Sequence, residues 1–130
     1  MARQYRFSVE PVVRANGNCP GQEFYDSLDK KTVRPKFIAI FRAIERSKDG
    51  YLRGDKLEKL HGDHTYDLWE MKVRYKHMWY RMLCFRDGST WMVTHGFTKN
   101  ANDTPRNEIE KGVAIKKEYE EANNNIARRR

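Results

Sequence analysis

The sequence predicts an α+β domain: a small, twisted, mainly antiparallel four-stranded sheet with an N-terminal helical hairpin on one face and a C-terminal helix closing the chain. Three observations carry this. Trp69, Met71 and Val73 alternate with Glu70, Lys72 and Arg74, the period-2 pattern of a half-buried strand. Asp87-Gly88 lies between two apolar and aromatic runs, Met78 to Phe85 and Trp91 to His95. That dipeptide suits a type I′ hairpin turn, whose two central residues both need positive φ. Phe37, Ile40, Phe41 and Ile44 follow the i, i+3, i+4, i+7 spacing of a helix that lays one stripe on a sheet.

Taken in order, the first strand is Tyr5, Phe7 and Val9 alternating with Arg6, Ser8 and Glu10, closed by Pro11. Ala15 to Gly21 is a turn-rich loop. Glu23 to Lys30 is a short helix with Phe24 and Leu28 four apart, and Pro35 opens a longer one in its first turn, where a missing N–H costs nothing. Asp49-Gly50 ends that helix. Tyr51 to Thr65 is a connecting stretch anchored by Leu52, Leu57 and Leu60. Beyond the central strands, Asn102 to Thr104 is a polar turn, and Thr104-Pro105 reads as an N-cap followed by proline at N1. Ile109, Val113 and Tyr119 line one side of the terminal helix. Residues 1–122 form one domain, and 123–130 a flexible basic tail.

The formal net charge of +8 favours a polyanionic partner, such as RNA, DNA, the ribosome or a membrane surface, although a charged surface that only keeps the chain soluble has the same composition. The two cysteines, Cys19 and Cys84, form no metal or disulfide framework, and Cys84 sits mid-strand as a small core residue. His61, Asp63, His64 and Asp67 have a metal-like flavour, but no second His or Cys pair completes a set, so a solvated polar loop is expected, with no metal and no cofactor. The opening MARQYRF lacks an apolar signal region, no run approaches membrane-spanning length, and a cytoplasmic protein is the expectation.

The face that carries Glu70, Lys72 and Arg74 is expected to be exposed and to hold the function. Whether Arg81 joins it depends on the Tyr75-Lys76-His77 connection, because a one-residue slip turns every side chain to the other face.

Five segments then stand in a telling order: KLEKLHG, LWEMK, YRMLCF, HGFTKN, and Thr104-Pro105 before a charged helix. Over roughly Phe37 to Tyr119 they resemble the HigB/RelE-type toxin superfamily, and more narrowly its phage-derived HigB-like branch. Lys72 stands where that family's strand usually has arginine, and Asn100 where a second lysine is common. The resemblance implies a RelE-like fold and the toxin of a type II toxin–antitoxin system. It implies a ribosome-dependent mRNA endonuclease, with mRNA on the ribosome and a helix-turn-helix antitoxin as partners, and DNA reached only through the antitoxin.

Metal-free RNA cleavage uses the 2′-hydroxyl as nucleophile on the adjacent phosphate. It needs a base for that proton, cations for the growing charge and an acid for the leaving oxygen. Glu70 is the candidate base beside Lys72. Arg81, at the family's Tyr-Arg position, and Lys99, at its Phe-x-Lys position, are candidate phosphate clamps. Arg74, Lys76, His95, Lys56 and Lys59 are candidate RNA contacts, and His95 and Tyr119 fit the acid by type alone. Each has a plainer reading. Glu70 between cations is also what an ordinary surface ion pair looks like, and His95 what a hydrogen-bonded structural histidine looks like. Two other functions share these residues: a non-catalytic RNA or ribosome binder, and a protein-interaction module whose basic face receives an acidic segment.

Overall fold

The computed structural model describes residues 5–128. Residues 1–4 and the last two residues of the expected basic tail, 129–130, lie outside the described residues. The elements are β1 (Ser8–Pro11), α1 (Pro20–Ser27), α2 (Val33–Arg46), β2 (Leu57–Lys59), β3 (Trp69–Tyr75), β4 (Met78–Asp87), β5 (Thr90–Lys99) and α3 (Arg106–Arg128). The sheet has five strands, not four, in the order β1-β5-β4-β3-β2. The added strand is β2, which the sequence reads as connector. At three residues it is too short to show a period, and it becomes visible only through its pairing of Leu57 with Met71. β1 runs parallel to β5, and the other pairings are antiparallel, so the sheet is mixed. No helix among the described residues is long and apolar enough to cross a membrane.

The two N-terminal helices of the expected hairpin are held chiefly by the sheet. Each N-terminal helix packs on the sheet, α1 on β5 and α2 on β1 and β3. The two meet through aromatic rings, Phe24 edge-on to Phe37 at 6.4 Å and Tyr25 near Phe41 at 6.3 Å. α1 also begins earlier than expected, because Pro20, placed in the loop by its neighbours Asn18 and Gly21, is at the helix's first positions. Phe37, Ile40 and Ile44 of α2 pack with Met71, Val73, Met82, Cys84, Trp91 and Val93 in one core. Tyr80 is also on this helix-covered side, packed against the same core.

Gly96 of β5 shows why that core needs a glycine. A Cβ there would lie 2.1 Å from the ring of Phe24, which Phe37 holds in place. Gly96→Ala is expected to cost about 1–3 kcal/mol, the usual range for overpacking. An unchanged urea midpoint would show that the ring can move aside.

The opposite sheet face is mostly covered as well, against expectation. Leu83, Phe85, Met92 and Phe97 pack with Leu68 and with Ile109 and Ile115 of α3 in a second core. Gly112 lets α3 approach, since a Cβ there would sit 2.9 Å from Leu68 Cδ1. α3 also runs on through Arg128, so the part of the expected tail at 123–128 continues this helix.

Candidate nucleic-acid interface

The β3–β4 connection settles the position of Arg81. Lys76 and His77, with φ of 47° and 69°, form a two-residue turn between the paired residues Tyr75 and Met78. Both central residues have the positive φ of a type I′ turn. This register sets Arg81 directly opposite Lys72 and Arg74 opposite Trp79, so Glu70, Lys72, Arg74, Trp79 and Arg81 share one face. β5 joins that face through an irregularity. Between Leu83 and Cys84 the pairing shifts by one residue, with Leu83 opposite His95 and Cys84 opposite Val93. The extra residue, Thr94, bulges and lets Met92, His95, Phe97 and Lys99 point the same way.

α3 covers this face only from Leu83 toward Asp87. At the hairpin end, around Trp79, the cover is the short segment 100–105. There Glu70 and Arg81 form an ion pair 2.7 Å apart, with Glu70 4% and Arg81 1% exposed. The second Glu70 oxygen accepts a hydrogen bond from Thr104 Oγ1 at 2.7 Å, and Arg81 Nη2 donates to Asn102 Oδ1 at 2.5 Å. The expectation of an exposed Glu70 is therefore corrected. Each oxygen accepts one hydrogen bond and the carboxylate is buried beneath the 100–105 segment, so in this arrangement a 2′-hydroxyl does not reach it. Thr104 does not cap α3 with its side chain as the Thr-Pro spacing suggests. Its hydroxyl goes to Glu70, while the carbonyl of Pro105 accepts the N–H groups of Glu108 and Ile109.

The remaining cations lie above and beside this pair. Lys72 bonds Glu58 at 3.2 Å, and Lys99 bonds Asp103 at 2.8 Å. Arg74 is exposed and has no carboxylate partner among the described residues. Lys56, exposed just before β2, reaches this side by its backbone, its carbonyl accepting the Lys72 N–H at 3.3 Å.

Other candidates are not brought together here. Lys59 stands opposite Trp69, on the α2 side, and pairs with Asp67 at 3.2 Å. Lys76 lies in the turn with its ammonium over the Tyr75 ring, 5.5 Å from the centroid. Tyr119 donates a hydrogen bond to Asp87 and packs on Phe85. That is the far end of β4, about 25 Å from Trp79 at the ordinary rise per strand residue. His61 precedes and His64 lies within a 3-10 turn at Asp63–Thr65, and among the described residues no group of three or more His, Cys, Asp or Glu side chains is placed to hold a metal ion. Cys84 is buried in the α2-side core, which pushes its thiol up.

His95 is on the right face but 1% exposed, with Thr94 Oγ1 at 3.0 Å from Nδ1 and Glu108 Oε1 at 3.5 Å from Nε2. Burial, with a smaller contribution from Lys111, lowers its pKa to about 4 despite Glu108. It is a neutral structural histidine at physiological pH, not an RNA contact. Because its folded pKa lies below the unfolded value, the stability it confers is full above about pH 6.5 and is lost as pH falls toward 4. The loss is of the order of 3 kcal/mol in full, from about 1.4 kcal/mol per pKa unit. Denaturant midpoints at pH 7 and pH 5 should therefore differ, and His95→Asn should flatten the difference. Equal pH dependence in both proteins would place the sensitivity elsewhere.

Sequence reasoning misses Trp79, Glu58, Asn102 and Thr104 as parts of this site. Only Thr104 carries a signal, the Thr-Pro dipeptide, and that signal speaks of the helix alone.

A family model described as phage derived protein Gp49-like (DUF891) matches residues 23–117, most of the chain and all of the strands that build this face except β1. The chain belongs to the Gp49-like family. This phage-derived, toxin-like family lies within the RelE/HigB-like toxin superfamily, which fits the segment order from KLEKLHG to Thr104-Pro105. Comparison with curated proteins finds no match. Membership of the Gp49-like family suggests an antitoxin partner and an endoribonuclease as the activity to test.

Proposed function

We propose that this Gp49-like protein is the toxin of a type II toxin–antitoxin pair, of the HigB-like kind, and that it cleaves mRNA on the ribosome without a metal. The observation that carries the reading is the cationic end of the sheet. Lys72, Arg74 and Lys99 gather on one face around Trp79, with Arg81 one layer below.

In the reaction, the 2′-hydroxyl gives its proton to water as its oxygen attacks the adjacent phosphorus, the bond to the 5′-oxygen breaks, and that oxygen takes a proton from water, so the products are a 2′,3′-cyclic phosphate and a free 5′-hydroxyl. Negative charge accumulates on the phosphate oxygens during attack. Preorganised cations there act chiefly on the rate, each typically worth on the order of 100-fold or more. Arg74 meets RNA first, being exposed and without a carboxylate partner among the described residues. Lys72 and Lys99 follow by exchanging Glu58 and Asp103 for phosphate. Glu70 is a positioning residue: it holds Arg81 and, through Thr104, fixes the 100–105 segment that carries Asp103 beside Lys99.

One observation favours a second reading, a ribosome or RNA binder that does not cut. Glu70 has both oxygens occupied and His95 is buried, so neither acid–base candidate on this face reaches solvent.

Expression in a bacterial host separates the two. Induction alone should arrest growth with new mRNA 5′ ends inside coding regions, relieved by co-expression of a helix-turn-helix protein encoded beside it. Arrest with intact mRNA and co-sedimentation with ribosomes would replace cleavage by binding. Arrest relieved by the neighbour with neither RNA loss nor ribosome association would point to a protein target for the basic face.

A further inference from the structure

The chain has three tryptophans, and the structure uses them differently. Trp69 and Trp91 pack with the α2-side core, their rings 5.3 Å apart, and the Trp91 indole N–H is satisfied by the carbonyl of Gly50 at 2.7 Å. Trp79 is half-buried and belongs to neither core. A large aromatic side chain held outside both cores keeps part of its amphipathic surface accessible.

Its neighbours are cations. The guanidinium carbons of Arg74 and Arg81 lie 5.4 Å from the ring centroid and the Lys72 ammonium 5.9 Å, while Lys99 stands opposite Trp79 in the β5 register. Cations within about 6 Å of an indole are attracted to its electron-rich face. The ring and the cations therefore orient one another. Register explains the assembly: the Lys76-His77 turn sets Arg74 across from Trp79, and the Thr94 bulge brings Lys99 to the same face.

We propose that Trp79 is the stacking platform for one unpaired base of single-stranded RNA, with the flanking phosphates on Arg74 and Lys99. This rests on the reading of the cationic sheet end as an RNA-binding face. A strand of nucleic acid presents a flat π-surface and an anionic backbone in alternation, and this face offers an indole between cations in the matching sense. Stacking on an aromatic side chain is tolerant of base identity, so Trp79 sets where a base rests rather than which base it is. Duplex RNA hides its base faces and gains nothing from the indole.

The test uses the full chain and a short single-stranded oligouridine at low salt, with binding followed by anisotropy of the labelled RNA and by tryptophan emission. Stacking is worth about 1–3 kcal/mol per base, so Trp79→Ala should weaken binding roughly 5- to 150-fold. Its salt dependence should stay that of the wild type, because every phosphate keeps its cation. Trp79→Phe should recover most of the affinity. RNA should quench wild-type emission, and the quench should vanish in Trp79→Phe even at saturation, because Trp91 is buried and Trp69, half-buried, packs on the α2 side of the sheet. Arg74→Ala serves as the comparison: it should weaken binding and reduce the log–log salt slope by about 0.7, the value for one phosphate of a single strand.

Wild-type affinity in Trp79→Ala with weakened Arg74→Ala would overturn the stacking role and leave the RNA face standing. Weaker binding by Trp79→Ala accompanied by a shallower salt slope would mean that the ring only props the cations, which also overturns it. No binding by the wild type would remove the RNA face and the platform together.

Discussion

Arg81→Ala is expected to lower folding stability by about 3–5 kcal/mol, the usual effect of stripping one partner from a buried ion pair. The reason is what remains. Glu70, 4% exposed, would be left beneath the 100–105 segment with only Thr104 as partner, and Asn102 would lose the donor that holds it. Against a typical total of about 5–15 kcal/mol, this is a large fraction of the fold. Loss of toxicity in Arg81→Ala would therefore say little about chemistry. The paired replacement Glu70→Leu with Arg81→Met removes both charges at similar volume and should regain most of the stability. Guanidinium unfolding of the wild type, the single variant and the pair checks this. A single variant as stable as the wild type would contradict the buried brace. A paired variant that folds yet is inactive would show that the pair also serves the reaction, through the 100–105 segment that Glu70 fixes or through Arg81 itself.

The second large effect falls on RNA binding. Replacing Lys72, Arg74 and Lys99 together by alanine should flatten the log–log salt slope by about 2, at roughly 0.7 for each single-strand phosphate left without its cation. Stability should change little by comparison, since Arg74 has no carboxylate partner among the described residues and Lys99 is paired only with Asp103, four residues along. Lys59→Ala is the internal control. Lys59 has the same charge type but is on the α2 side, paired with Asp67, and its removal should leave the slope close to that of the wild type. An equal flattening by Lys59→Ala would mean that net charge, not this face, governs binding.

The elements with a strong period are legible in the sequence. The alternation around Trp69 to Val73 and the Phe37–Ile44 stripe each report local geometry, and each element forms. The hairpin expected at Asp87-Gly88 forms one residue on: Asp87 pairs with Thr90, the turn is Gly88-Ser89, and of the two only Gly88 has a positive φ, so it is not the type I′ turn that the dipeptide suggests. What the sequence does not show is what covers the second sheet face. Glu70 reads as exposed because alternation reports sidedness and not depth; its burial depends on Thr104 and Asn102, more than thirty residues on. The face of Arg81 stays open in the sequence for a similar reason, and the two positive φ values at Lys76 and His77 fix it by making the turn even. The placement of His95 and Lys99 depends on the Thr94 bulge, for which no residue in TWMVTHGF is a signal. Gly96 in that segment reads as a motif glycine, and the structure gives it a physical cause in the Phe24 ring.

The central claim is that RNA is held and cut at the Lys72, Arg74 and Lys99 end of the sheet. Single-turnover cleavage on ribosomes programmed with a defined mRNA tests it most directly, with ribosome binding measured in parallel and Arg74→Ala/Lys99→Ala compared with the wild type. If these cations meet the charge that grows on phosphate during attack, the cleavage rate of saturated complexes should fall on the order of 100-fold or more, beyond any loss of affinity. The expected result is cleavage by the wild type, leaving a cyclic phosphate end, and slow cleavage by the bound double variant. Wild-type rates in the saturated double variant, or no cleavage by the wild type, would contradict the claim.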